Sequence, residues 1–270
     1  MLLWLIYIND IVDSVKTNIK LFADDAKIFT KINSIEDCAR LQTDLNTVAA
    51  WTKRWLLGFN KEKCVVVRNR KSIPFTYHID GHPLKEVDQQ KDLGVIVSND
   101  LKPSKHITYV CKKAQQRLGM IRRCFSNHSS SVIGPLYRTI VRPLIETCSP
   151  VWNPWLQKDI NLLDKVQNRC IRLSNNHLPL EPLKTRRDKQ DLAEMYKQLN
   201  GLNKTKSLVS NRPSNLRGHS QKVPINYART DIRKYYFTNR VSAVWNRLPE
   251  EVVSAPTLSI FKDALELRSN

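Results

Sequence analysis

The chain has 270 residues, 41% of them apolar, and a formal net charge of +19. That length allows one large or two modest domains, and the apolar content is enough for a core. None of the six cysteines forms a Cys-x-x-Cys pair and no Cys/His block has zinc-ligand spacing, which sets aside a zinc module; Cys124 with His128 is a faint hint at most.

The charge is unevenly placed. Residues 1–110 hold 16 Lys+Arg against 13 Asp+Glu, whereas residues 111–270 hold 28 against 12. A basic half that also contains aromatic residues points to a polyanion, with nucleic acid the obvious one. A solvated basic surface or attraction to a membrane surface are the alternatives. The apolar start, Met1 to Ile8, is short and lacks a basic leader and a small-residue cleavage site. It is expected to be neither a signal peptide nor a membrane span. A reducing intracellular compartment, cytoplasmic or nuclear, is the default.

Residues 1–9 are expected to be a buried helix or strand. Next comes Phe22-Ala23-Asp24-Asp25, two adjacent carboxylates between apolar runs: Ile19, Leu21 and Phe22 before, Ala26, Ile28 and Phe29 after. Alternation on both sides predicts a β-hairpin over 19–30 with the acids at its tip. Neighbouring strand residues point to opposite faces, so two adjacent acids approach one cation only at a turn. Hard-cation sites of this kind belong to phosphoryl-transfer enzymes; a solvated turn is the alternative.

Ser34 opens a helix with Asp37 as a capping-box partner. Cys38, Leu41, Leu45, Val48, Thr52 and Trp55 recur at helical spacing, and Gly58 is a plausible stop. Trp51 and Trp55 suit a core better than a base-stacking platform. Cys64 to Arg68, Tyr77 to Ile79 and Leu93 to Val97 have the character of short strands, and Asp80-Gly81 is a turn signal.

From Ser104 the pattern turns helical. Ile107, Cys111, Ala114, Leu118, Ile121 and Phe125 form one stripe, while Lys112, Lys113, Arg117, Arg122 and Arg123 lie largely off it. This is an amphipathic basic helix. Further helices are predicted near 131–147, 157–174, 188–200, 231–247 and 256–267, with Pro143 bending or ending its own. Asn203 to Pro224 has linker composition. Residues 225–267 interleave Tyr227, Tyr235, Tyr236, Phe237 and Trp245 with Arg229, Arg233, Lys234, Arg240 and Arg247. Such interleaving suits single-stranded nucleic acid, and equally a small helical core with a charged exterior.

Several segments in fixed order resemble the reverse transcriptase of non-LTR retrotransposons, the jockey-like LINE elements. They are Leu5 to Ile11, Leu21 to Phe29, Leu41-Gln42-Thr43-Asp44-Leu45, Phe59 to Cys64, Asp92-Leu93-Gly94-Val95, Leu136-Tyr137-Arg138, Val141-Arg142-Pro143, Val151-Trp152, Val166-Gln167-Asn168-Arg169 and Trp245-Asn246-Arg247-Leu248-Pro249. The resemblance implies an α+β fold. A partial polymerase palm (antiparallel strands plus helices) would occupy 1–102, a mainly helical thumb-like region 103–200, and a basic helical tail with a linker 201–270.

Members of that family also carry a metal-binding Asp on an earlier palm strand and a Gln-Gly segment. Met1 falls about where that part ends. The chain is therefore expected to be a truncated RNA-directed DNA polymerase, catalysing two-metal nucleotidyl transfer in full-length form and inactive alone. The alternative is a non-catalytic nucleic-acid-binding module or an inert retroelement remnant. By resemblance Asp24 and Asp25 are catalytic and metal-binding, and Lys63 lies beside the active site. The basic helix matches the thumb, which grips the sugar-phosphate backbone without reading bases. Mg²⁺ is the implied cofactor, with weak or absent binding expected here. RNA template and DNA primer are the implied partners; no membrane or protein partner is inferred.

Overall fold

The computed structural model describes residues 8–69, 72–175, 177–203 and 218–268. The chain divides into two compact units, Met1–Asp92 with Val97–Leu101, and Leu93–Ile96 with Lys102–Asn270. The elements make a mixed α+β fold. Most of residues 1–9 and 203–224 for which a segment or linker was expected, namely 1–7 and 204–217, lie outside the described residues.

The first unit opens with a 3₁₀ turn, Asp10–Ser14, and then the hairpin of β1 (Asn18–Phe22) and β2 (Asp25–Phe29). The register pairs Ile19 with Ile28, Leu21 with Ala26 and Phe22 with Asp25. Because side chains alternate, Ile19, Leu21, Ala26 and Ile28 share one face. Ile19, Leu21 and Ile28 pack with Ile8, Ile11, Val48, Trp51 and Phe59 into a small core. The other face carries Lys20, Phe22, Asp25, Lys27 and Phe29, all exposed.

Helix α1 (Ile35–Arg54) starts as its sequence dictates, with Ser34 and Asp37 exchanging both bonds of a capping box. The helix fixes its surroundings through two polar side chains. Buried Asp44 accepts the backbone N–H groups of Lys16 (3.1 Å) and Thr17 (2.8 Å), anchoring the lead into β1. Gln42 donates to the His78 carbonyl and accepts the His78 N–H, both at 2.8 Å. The stop is not Gly58. Leu56, with φ of 53°, takes the left-handed position, and the Leu57 N–H bonds the Thr52 carbonyl at 2.8 Å. The remaining strands are short: β3 (Val65–Val66) parallel to β6 (Lys85–Glu86), β4 (His78–Ile79) antiparallel to β5 (His82–Pro83) around Asp80-Gly81, then β7 (Gln89–Asp92) and β8 (Val95–Ser98). Leu93 and Gly94, expected in a strand, form a turn with φ of 47° and 89°.

The second unit is helical. Its first core joins α2 (Ser104–Cys124), α3 (Ser130–Leu136), a π turn (Tyr137–Val141), α4 (Arg142–Glu146), α5 (Ser149–Trp152) and α6 (Gln157–Leu173). Pro143 does not end the run. Its missing N–H and its ring disturb the preceding turn, and the chain widens there into the π turn. Helix α7 (Leu183–Leu199) gives Leu183 to this core and Leu192, Met195 and Tyr196 to a second. After the short helix α8 (Asp231–Lys234), the second core is completed by α9 (Phe237–Trp245), α10 (Glu250–Val253) and α11 (Leu258–Leu267), with Trp245 and Phe261 fully enclosed. The Tyr196 hydroxyl donates to the Ala255 carbonyl at 2.6 Å. Among the described residues, no helix is long and apolar enough to cross a membrane.

Candidate nucleic-acid interface and carboxylate hairpin

In the hairpin the two-residue loop is Ala23-Asp24, and Ala23 carries a positive φ of 52°. Asp24 therefore sits at the turn, while Asp25 is already the first residue of β2, on the open face with Lys27. Both acids are exposed, and neither has an ion-pair partner among the described residues. Lys27 is paired instead with Asp92.

Lys63 lies in an exposed turn over 61–63, its N–H bonded to the Asn60 carbonyl at 3.0 Å. The neighbouring Lys61 reaches Asp80 at 3.4 Å. Among the described residues no group of three or more His, Cys, Asp or Glu is placed to hold a metal. A hard divalent cation takes about six oxygens, so the two hairpin acids are a partial donor set that does not make a magnesium site alone.

The basic helix is more fully formed. Its apolar stripe, Ile107, Cys111, Ala114, Leu118 and Ile121, is buried, while Phe125, just past the end, is exposed. Lys112, Lys113, Arg117, Arg122 and Arg123 are all exposed, and none is ion-paired among the described residues. Lys113 lies over the Tyr109 ring at 4.6 Å. The 21-residue helix contains no Asp or Glu and, at 1.5 Å per residue, offers a rod about 30 Å long. Its exposed side carries five cations with no ion-pair partner among the described residues.

The aromatic and basic residues of the last section divide between two roles. Phe237 and Trp245 are core. Arg240 is spent internally, donating to both Asp191 oxygens at 2.8 Å and to the Pro150 carbonyl at 2.7 Å. Tyr227 and Tyr236 are exposed, and Arg233 lies 5.6 Å from the Tyr236 ring centre. Tyr235 stacks on Trp155 with centroids 5.6 Å apart and planes within 5°. Neither Trp155 nor the buried Arg187 beside it stood out in the sequence. One follows Asn153-Pro154 with no periodicity to place it, the other adjoins a second arginine on its helix, and only packing separates the two. Of the cysteines, Cys38, Cys111 and Cys170 are buried; burial pushes the Cys111 and Cys170 thiols up to about 12, so both behave as small apolar groups.

The chain contains a region like that of the RNA-directed DNA polymerases of non-LTR retrotransposons. Two curated proteins of Drosophila melanogaster share it. The probable RNA-directed DNA polymerase from transposon BS is 26% identical over 168 residues, 59% of this chain and 18% of that protein. The probable RNA-directed DNA polymerase from transposon X-element is 24% identical over 166 residues, 58% of this chain and again 18% of the relative. The chain thus matches less than a fifth of the length of these relatives. No family model matches the chain, and no solved structure does.

Proposed function

We propose that this chain is the palm-to-thumb portion of an RNA-directed DNA polymerase, and that its own task is to hold the template–primer duplex. In this reading residues 1–102 are the palm with its hairpin, 103–200 the thumb-like region and 201–270 the basic C-terminal region. The observation that carries it is the acid-free helix Ser104–Cys124, with five exposed cations that form no ion pair among the described residues and its apolar stripe buried. Duplex backbone binding needs this and little else, because each neutralised phosphate releases counterions.

An RNA–DNA duplex should therefore bind with a slope of log affinity against log salt of about −4 or steeper if the five cations all engage. Replacing Arg117, Arg122 and Arg123 together by Ala should make the slope shallower by roughly 3. Fluorescence anisotropy at several salt concentrations measures both. An unchanged slope in the triple variant would remove this helix from the interface, and salt-independent binding would favour an inert remnant.

The hairpin acids belong to the chemistry of the complete enzyme. The described residues do not by themselves form a magnesium site, so no metal-dependent step is assigned to this chain. Two exposed carboxylates at a tight turn are positioned to complete a site whose other ligands come from elsewhere. In a polypeptide as long as the relatives, Asp24→Ala should abolish primer extension while leaving duplex affinity unchanged. The 270-residue chain alone should extend no primer. Extension by the D24A variant would sink the assignment.

A further inference from the structure

The second unit contains a cavity of about 170 Å³ where segments far apart in the chain meet. Its wall includes Tyr137 and Arg138 from the π turn, Arg142 from the start of α4, Gln167 from α6, Glu181 from the approach to α7 and Arg186 on that helix. Widened helical turns recur at functional sites. This one leaves Arg138 exposed and Arg142 half-buried at the same cavity.

The donors here outnumber the acceptors. Arg186 is largely satisfied: its Nε and Nη2 donate to the two Glu146 oxygens at 2.5 and 3.0 Å, and its Nη1 reaches Glu181 at 3.4 Å. The other Glu181 oxygen holds Lys189 at 2.6 Å, and Lys189 also pairs with Glu266. The Arg142 Nε lies 3.9 Å from Glu146, beyond hydrogen-bonding distance. Arg138 has no ion-pair partner among the described residues. In this network Arg138, Arg142, Arg186 and Lys189 meet Glu146, Glu181 and Glu266. Because Arg186 and Lys189 engage all three carboxylates, the surplus charge falls on Arg138 and Arg142.

The wall also selects the ligand class. Its one aromatic side chain, Tyr137, is 1% exposed and offers no ring face, and its hydroxyl is spent on Gln167 at 3.2 Å. The Gln167 amide in turn donates to the Glu181 carbonyl at 3.0 Å. A nucleobase would find nothing to stack on and would leave two guanidinium groups uncovered. A tetrahedral oxyanion presents several acceptors to such planar forks. The volume is below the roughly 300 Å³ at which pockets for drug-sized ligands begin, which suits one small group.

We propose that this cavity binds a single phosphoryl group, held by Arg138 and Arg142 with Arg186 behind them. The group is the terminal phosphate of a nucleic-acid strand or free inorganic phosphate, which present the same oxygens. The inference does not depend on the duplex grip assigned to α2, since it uses none of that helix's cations.

Calorimetric titration of the whole chain with inorganic phosphate at constant ionic strength tests the site, and the native chain should show one saturable event. Arg138→Ala and Arg142→Gln each remove one fork and should each weaken it about tenfold, the loss expected for a charge-assisted hydrogen bond. Arg138 is exposed, so its replacement leaves the core intact. Arg172→Ala removes an exposed cation of α6 outside the cavity wall and should leave the affinity unchanged. Two labelled strands of one sequence, with and without a terminal phosphate, identify the source. A preference of about tenfold for the phosphorylated strand, lost in Arg138→Ala, assigns the site to strand ends. Equal binding of the strands beside saturable inorganic phosphate assigns it to the free ion. Equal binding of the strands with no saturable phosphate event overturns the proposal. So does a phosphate affinity or strand preference that Arg138→Ala and Arg142→Gln leave unchanged, or that Arg172→Ala lowers as much as they do. Neither result alters the salt slope of duplex binding.

Discussion

Asp44 shows how one side chain fixes the position of the hairpin. Its carboxylate is buried, and burial alone would raise its pKa. The Lys16 and Thr17 N–H groups outweigh that and hold the pKa below the usual carboxylate range. The sign follows from linkage. With the folded pKa below the unfolded value of about 3.9, the stabilisation is complete above that value and is lost as pH falls through the folded pKa. Asp44→Ala leaves two backbone donors without their acceptor and should cost about 1–3 kcal/mol. Urea denaturation at pH 7 measures the cost. Repeated below pH 4, it should show the gap between native chain and variant shrinking, and a constant gap would rule out this ionic contribution.

Asp44 lies on the apolar side of α1, where the sequence offers no hint of a buried acid. Single side chains were the part that sequence conveyed least. The five cations of α2 could be placed because they lie off an apolar stripe. Interleaving alone groups Arg240 with possible nucleic-acid contacts, although Asp191, 49 residues away, consumes it. The Nη1 of Arg187, buried without an acceptor among the described residues, is likewise a product of packing, invisible to composition or spacing.

Among the elements, long amphipathic helices followed from periodicity. The stripe from Ile107 to Ile121 and the capping box at Ser34 are local patterns, and both formed as expected. Turns were harder. Ala23, Leu56 and Leu93 all adopt positive φ, a conformation that non-glycine side chains resist. A reader of the sequence therefore assigns the turn to the nearest glycine or acid. Sequence alone points to Gly58 as the stop of α1 and to a strand at Leu93, whereas Leu56 and Leu93 take the turn positions.

The same argument makes a prediction for α1. Leu56 is 93% exposed, so its side chain contributes almost no burial while its backbone is strained. Leu56→Gly should stabilise the first unit by roughly 0.5–1 kcal/mol. A lower denaturation midpoint in L56G would show that the leucine is held by something other than the turn.

At the level of the whole second unit, α7 is the shared element. Leu183 belongs to one core, and Met195, fully buried, to the other. A helix common to two cores should couple them into one cooperative transition. Leu183→Ala and Met195→Ala should each cost about 2–5 kcal/mol, and each should shift the whole unfolding curve of this unit. Fluorescence and far-UV dichroism followed together provide the check. A split transition in either variant would mean that the cores melt separately.

The shared helix also bears on how such a protein can be shortened. A chain ending near residue 200 would leave Leu192, Met195 and Tyr196 facing water, because the side chains that cover them, among them Phe237, Trp245 and Phe261, come from the C-terminal segment. Here Val223 and the helices from Phe237 to Leu267 are structural lining for the helix before them. A chain that loses them should aggregate through the bared face of α7, so the body cannot keep its fold without the tail.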